Sequence, residues 1–454
     1  MSLNTAGLSQ KSKTMSITTR VLSTDSLIKL SNKISWEDIF HIMESDLKNT
    51  TKGYWFLGRP LYVRVHIGVY ILQSLYKWTD RQAEDFILST PKYQIFCGRG
   101  LVQSWKVPDH TKIEEFRNRL SAATHKLVGD YFLKYAVGAG FGDASWMDID
   151  STVQEANMAY PADCNILKKL ALKTKKVVEF LKSKNTRGFK GIDIDIKSIC
   201  KKAQEYFFLA KNSSIEVKRK IFGDYFSKVK TELNESIKAI EKLPEKIKTQ
   251  LPWNIAGAVS VIQLKAWRYL LDVAHFTRTH TIKPGKILSL QLSAVACISK
   301  GKIEKKHEFG RLVQIGRIGG NFLIPLSTDV KMEDKQSIVP MVANHAQIFG
   351  QGCLQGIGTD KGYYSHDNTT IFGINTDGLQ RPVSVKTRPP DEVVQPLRDR
   401  RAGIEPLIGH LKSFGLKKSK MKSDRATHAS VYTCTMGYNI HQILRHQDGK
   451  FKAA

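Results

Sequence analysis

Long apolar runs are missing from this 454-residue sequence. None approaches the roughly 20 residues needed to cross a bilayer, so a membrane-spanning protein is not expected. The Ser/Thr-rich start, MSLNTAGLSQKSKTMSITTR, lacks the apolar segment of a secretory signal, which points to a cytoplasmic location. Cysteine is scarce and scattered. The six residues (Cys97, Cys164, Cys200, Cys297, Cys353, Cys434) form no CxxC pair, which argues against a zinc knuckle and against a disulfide framework. Acid is short as well: 42 Asp and Glu face 70 Lys and Arg, a net charge of +28. Such an excess repels itself unless a polyanion is nearby. Nucleic acid suits it, because neutralising phosphates releases condensed counterions.

What is present is a globular composition. With 41% hydrophobic residues the chain can bury a large core divided among two or three domains. Residues 1–35 hold few large apolar side chains and are expected to be a flexible tail. Helical periodicity then runs from Trp36 to about residue 140, through GRPLYVRVHIGVYILQSLY, WTDRQAEDFILS and HTKIEEFRNRLSAATHKLVGDYFLKYA. Thr79 with Gln82 and Thr111 with Glu114 have the spacing of capping boxes. Short capped helices with Lys and Arg on their polar faces suit docking on DNA, as they suit any helical bundle.

At Ser145 the period changes to two. SWMDIDSTV sets Trp146, Asp148, Asp150 and Thr152 on one face of an expected half-buried strand. YPAD turns the chain, with Asp163 placed to cap the next helix, and residues 160–282 read as a lysine-rich helical insertion. Its Tyr206, Phe207, Tyr225, Phe226 and Trp267 recur with the apolar stripe, which reads as core rather than base-stacking surface. Strand signals return in KILSLQLSAVAC and HEFGRLVQIGRIGGNFLIP, an expected hairpin in which GRIGGN is a turn and not a nucleotide loop. A helix (DKQSIVPMVANHAQIFG), the short run GCLQGIG and a further strand (GLQRPVSVKTR) follow. The last clear helix starts near Ile404. This order makes a mixed α/β layer with helices packed on a central sheet.

Such a layer gathers strand ends and the first turn of a neighbouring helix at one edge. Asp150, Asp360 in GTDKGYYSHDN, and Glu405 in RRAGIEPLIGHLK are acids in suitable places. Asp360 also reads as a simple turn former, and alternation alone does not separate Asp150 from Asp148. Three converging acids would repel one another unless divalent cations lie between them, and oxygen-only ligation suits Mg²⁺. His366 and His410 read as solvent-facing or packing residues, since two-metal chemistry needs no histidine base.

These segments, MDIDSTVQEANMAYPAD, KILSLQLSAVACISKGKIEKKHEFG, GTDKGYYSHDN and RRAGIEPLIGHLK, resemble the DDE transposases of bacterial insertion sequences. GRPLYVRVHIGVYILQSLYKWTDRQAEDFI with PDHTKIEEFRNRL is similar to their N-terminal helical domain. The resemblance implies an RNase H-like catalytic domain over 141–159 and 283–440, interrupted by the insertion and preceded by a DNA-binding helical domain at 36–140, with a flexible tail at 441–454. It implies Asp150, Asp360 and Glu405 as catalytic metal ligands for two Mg²⁺, with Mn²⁺ as a substitute. Arg401, Lys412, Lys361 and Arg398 become the DNA-binding cations; Arg398 stands where the family often has a tyrosine. The implied activity is binding of terminal inverted repeats, endonucleolytic strand cleavage and strand transfer into target DNA by a dimer or larger assembly, nucleoid-associated when bound. Two alternatives stay open from the residues alone: a non-enzymatic DNA-binding relative, and an RNase H-like nuclease acting on RNA.

Overall fold

The computed structural model describes residues 24–48, 60–99, 105–158, 162–210, 212–293, 295–299, 307–328, 332–359, 361–363, 365, 382–383, 400–421 and 423–450. Seven described helices precede the first strand: α1 (Ser26–Lys33), α2 (Trp36–Lys48), α3 (Pro60–Tyr76), α4 (Asp80–Ser89), α5 (Pro91–Phe96), α6 (His110–Arg119) and α7 (Ala122–Gly138). Short polar side chains set where several of them begin. Asp25 accepts from the Leu27 amide at 2.8 Å, and Ser121 accepts from the Thr124 amide at 3.1 Å. Thr79 and Gln82 form the expected capping box on α4. The second expected box is not formed: α6 is capped two residues earlier by Asp109, which accepts from the Lys112 amide at 3.0 Å, leaving Thr111 inside the helix. A carboxylate is the better cap, and it comes first. The expected N-terminal tail is also shorter, because α1 buries Leu27, Ile28 and Leu30.

Among these helices lies a buried polar pair. Tyr70 Oη and His125 Nδ1 are 2.7 Å apart, both residues almost fully enclosed. Burial first, then the nearby Arg117 and Arg425, pushes the His125 pKa down to about 4. The folded state thus favours neutral imidazole. Its contribution is full above the ordinary histidine value of about 6.5 and is lost as pH falls through about 4. Between pH 7.5 and 4.5 this group alone is expected to remove about 2 to 3 kcal/mol. Denaturant midpoints at the two pH values check this: His125→Gln should flatten that part of the loss, and an unchanged pH dependence would refute it.

Strand β1 (Trp146–Glu155) follows, then the helices α8 (Asp163–Ser183), α9 (Ile196–Ala210), α10 (Ile215–Glu241), α11 (Glu245–Lys248) and α12 (Trp253–Thr279). Next come β2 (Ala296–Ser299), β3 (His307–Ile318), β4 (Phe322–Ser327), α13 (Asp334–Phe349), β5 (Gly356–Gly358), β6 (Pro382–Val383), α14 (Ile404–Leu411) and α15 (Asp424–Gln447). The run expected as one strand from Lys286 narrows to β2. HEFGRLVQIGRIGGNFLIP divides into β3 and β4, which pair antiparallel about a tight turn where Gly320 and Asn321 take φ of 75° and 61°. Any side chain at Gly320 would strike the Phe141 carbonyl oxygen.

The chain divides into two units, residues 1–155 with 311–421 and 425–454, and residues 156–310 with 422–424. In the first unit the strand order is β3-β1-β5-β6 with β4 also on β3, β1/β5 and β5/β6 being parallel. This mixed layer is of the RNase H-like kind. One core unites the N-terminal helices with the sheet: Val69, Phe132, Met147, Ile149, Ile324, Met341, Met436 and Ile440 are all buried in it. A second cluster lies between β3/β4 and the C-terminal helices, with Val313, Ile315 and Leu323 against Ile404, Leu411, Val431 and Tyr438. Helix α15 was not legible as an element. It extends to Gln447 and buries Ile443, so no tail begins at residue 441.

The second unit has its own core, in which α8, α10 and α12 contribute Leu170, Val178, Tyr225, Leu233, Ile262 and Tyr269. Tyr225 and Phe226 are buried as expected, whereas Phe207 is 48% exposed. Asp163 does not cap α8. It stands in the first turn, accepting from Tyr269 Oη at 2.9 Å and pairing with Lys286 at 2.6 Å. The chain enters and leaves this unit at neighbouring points, since the Ala156 amide donates to the Phe309 carbonyl at 2.9 Å.

Candidate active site

Strand β1 is enclosed on both faces, with Met147, Asp148, Ile149 and then Thr152, Val153, Gln154 buried, in contrast to the half-buried strand expected. The reason is its central place between β3 and β5. Alternation therefore failed as a burial signal here, yet the two acids two residues apart differ sharply in surroundings. Asp148 is 2% exposed, while Asp150 is half-buried.

Asp148 is held by two arginines. Arg400 Nε donates to its Oδ2 at 3.3 Å, and Arg317 lies 3.9 Å from the same oxygen. Arg317 is itself fixed by the Arg400 carbonyl at 2.6 Å and the Asn321 side chain at 3.1 Å, and the Arg400 guanidinium sits 5.1 Å over the Trp146 ring. Burial raises the Asp148 pKa above the usual carboxylate range, an effect that Arg400 and Arg317 oppose. Two glycines make room. A Cβ on Gly358 would come 2.5 Å from Asp148 Oδ1, and one on Gly403 would strike the Arg317 guanidinium. The fallback role of Asp148 as a ligand is thus disfavoured by its commitment to this clamp. Asp148→Ala is expected to cost about 2 kcal/mol, a value reduced from that of a fully buried pair because both arginines are partly exposed. A denaturant midpoint unmoved by this change would rule the clamp out.

Asp150 and Glu405 meet at a third arginine. The Arg401 guanidinium nitrogen Nη2 is 3.6 Å from Asp150 Oδ2 and 3.5 Å from Glu405 Oε1. These two carboxylate oxygens are therefore no more than about 7 Å apart. Glu405 reaches the site from the first turn of α14, whose Ile404, Leu407, Ile408 and Leu411 fill the i, i+3, i+4, i+7 positions of the buried face. Its carboxylate falls on the opposite face, 62% exposed. Pro406 suits that first turn. Lys412 follows directly, opening a π turn over Lys412–Leu416 that is allowed by Gly415 at φ 111°.

Strand β5 brings the remaining segment alongside. Asp148 pairs with Gly358 in parallel register, and a Cβ on Gly358 would lie 3.7 Å from the Arg401 Cβ. Lys361 begins a short 3-10 turn, Lys361–Tyr363, with Tyr363 buried and donating to Gln314 at 2.8 Å. Asp360, the Lys361 side chain and Arg398 lie outside the described residues, as does His366. Among the described residues no group of three metal-ligating side chains is assembled. Sequence reasoning missed Arg317 and Arg400. The tandem arginines of RDRRAG were the available signal for Arg400, whereas Arg317 was hidden in a segment read only as a turn.

No curated protein and no solved structure matches the chain. Two family models do. Residues 16–119 match the Transposase domain (DUF772), and residues 314–440 match the Transposase DDE domain. The first covers the N-terminal helices through α6, and the second runs from β3 across Gly358, Arg401 and Glu405 into α15. Transposases act on DNA, the partner that the charge of the chain suits. With both domains present in this order on a mixed α/β layer, the chain belongs to the DDE transposases of insertion sequences.

Proposed function

We propose that this transposase binds the terminal inverted repeats of its own element, cleaves a phosphodiester there and joins the freed 3′-hydroxyl to target DNA. The observation that carries this reading is the meeting of Asp150 and Glu405, remote in sequence, on the single guanidinium of Arg401. A cation lodged between two carboxylates marks a place where positive charge is required. An all-oxygen set of hard ligands fits Mg²⁺ or Mn²⁺ better than zinc. Asp360 is the third ligand in this reading. In sequence it stands two residues past Gly358, a glycine that borders both Asp148 and Arg401.

The chemistry that a pair of divalent cations supplies at such acids, when bound, is activation of a water or 3′-hydroxyl and neutralisation of charge building on the phosphorus oxygens. The protein's own groups prepare the rest. Asp148, Arg317 and Arg400 pin the middle of β1, so that Asp150 projects from a fixed strand. Arg401 balances Asp150 and Glu405, and it is placed to turn toward a phosphate once those acids are otherwise neutralised. Lys361, Lys412 and Arg398 supply further phosphate contacts, and two DNA ends are processed together by a dimer or larger assembly.

The direct test is nicking of duplex DNA that carries the element's two ends, with and without Mg²⁺. The proposal expects strand breaks at the ends only with the metal. Absence of cleavage while the ends are bound would reduce the protein to a binding role.

A further inference from the structure

The second unit carries a separate basic site. Residues 156–310 contain 31 Lys and Arg against 14 Asp and Glu, a net +17 of the chain's +28. Part of this excess is concentrated on one helix face. Lys169, Lys173 and Lys176 stand at i, i+4 and i+7 of α8, where like charges stack and repel. All three line one open cavity of about 600 Å³, whose other walls mix polar side chains such as Asn165, Asn254 and Gln291 with apolar ones such as Leu172 and Leu290. No acid lines it among the described residues. None of these lysines takes part in a described ion pair, although Lys175 beside them pairs with Glu179 at 3.7 Å. Lys173 is half-buried as well, and burial together with Lys176 pushes its pKa down.

A folded protein that leaves three neighbouring ammonium groups unneutralised, one of them partly desolvated, maintains a standing repulsion that only an outside anion relieves. From Lys169 to Lys176 the helix rises about 10 Å, about three phosphate-to-phosphate steps along one strand of a duplex. We infer that the cavity lined by Lys169, Lys173 and Lys176 seats the phosphate backbone of duplex DNA, giving the helical unit a DNA contact of its own. This inference rests on the reading of DNA as the substrate and goes beyond the acid-lined site on the other unit.

Backbone contacts are read by salt rather than by sequence, so the probe is a fluorescent duplex of random sequence titrated with the full chain over a range of salt concentrations. Each lost phosphate contact lowers the slope of log K against log salt by about 0.9. The triple variant Lys169→Gln, Lys173→Gln, Lys176→Gln should lower it by about 2 to 3. A control triple of equal charge outside the cavity, Lys201→Gln, Lys220→Gln, Lys238→Gln, should leave it within about 1 of the parent. If the triple unfolds early, Lys169→Gln with Lys176→Gln, both exposed positions, should still lower the slope by about 1 to 2. Equal slopes for parent and variant, or equal losses in the two triples, overturn the inference while leaving DNA as substrate intact. A loss seen only with duplex RNA overturns it too. Failure of the parent to bind the duplex at low salt would instead defeat the DNA reading itself.

Discussion

Asp150→Asn and Glu405→Gln are each expected to reduce metal-dependent cleavage of transposon-end DNA by on the order of a thousandfold, with duplex binding retained. Carboxylate-held cations contribute several kcal/mol of charge stabilisation at phosphorus, and each 1.36 kcal/mol is a factor of ten. Loss of one ligand is thus visible as near-complete loss of product, not as a modest slowing. Binding should hold or tighten, because an acid is removed from a surface that meets phosphates. Each substitution leaves Arg401 the other of these two carboxylates as a partner. Cleavage and binding measured side by side check both halves. Equal cleavage by parent and variants would remove these acids from the chemistry, and equal loss of binding would mean that they act on DNA affinity instead.

The second large effect is structural. Gly437, in the middle of α15, faces the backbone of α3, where an added Cβ would collide with the Ser74 carbonyl. Neither helix backbone can swing aside like a side chain, and the neighbouring core is closed around Met436 and Ile440. Gly437→Val is expected to cost at least about 3 kcal/mol, at the upper end of overpacking penalties. Denaturant midpoints check it, and a variant as stable as the parent would mean that the two helices do not touch here. Since Gly437 lies within the matched DDE domain and Ser74 within the matched N-terminal domain, this contact joins the two family segments inside the first unit.

Much of this was readable in the sequence, but unevenly. The change of period at Ser145 marked β1, and the four apolar residues of α14 marked a helix that turns Glu405 away from the core. Order and spacing along the chain carried the rest of the family resemblance. Helix α15 escaped because its buried face mixes polar with apolar residues: Thr427, His428, Thr435, Asn439 and Gln442 are enclosed beside Val431, Met436, Ile440 and Ile443. Asn439 explains why such a residue belongs there. Its side-chain amide donates to the Leu323 carbonyl at 2.8 Å and accepts from the Leu323 amide at 2.9 Å, completing β4 as a neighbouring strand would. No periodicity rule anticipates a helix side chain standing in for a strand.

Within the site, sequence reasoning named the acids but not what distinguishes Asp148 from Asp150. That difference arises from residues far along the chain. Arg317 and Arg400 approach Asp148 only because Gly358 and Gly403 lack side chains, and a close approach permitted by glycine leaves no pattern in charge or hydropathy. Arg401, named through the family resemblance, has a second partner in Asp150 that spacing along one helix does not reveal.

The hydrogen bond between Ala156 and Phe309 has a bearing on how such a gene can change. Where the helical unit departs and returns, the strands are already within reach of one another, so a brief reverse turn would reconnect them. A segment of different length at this junction would therefore leave the strand scaffold in place, and the helical unit could change while Asp150 and Glu405 keep their positions.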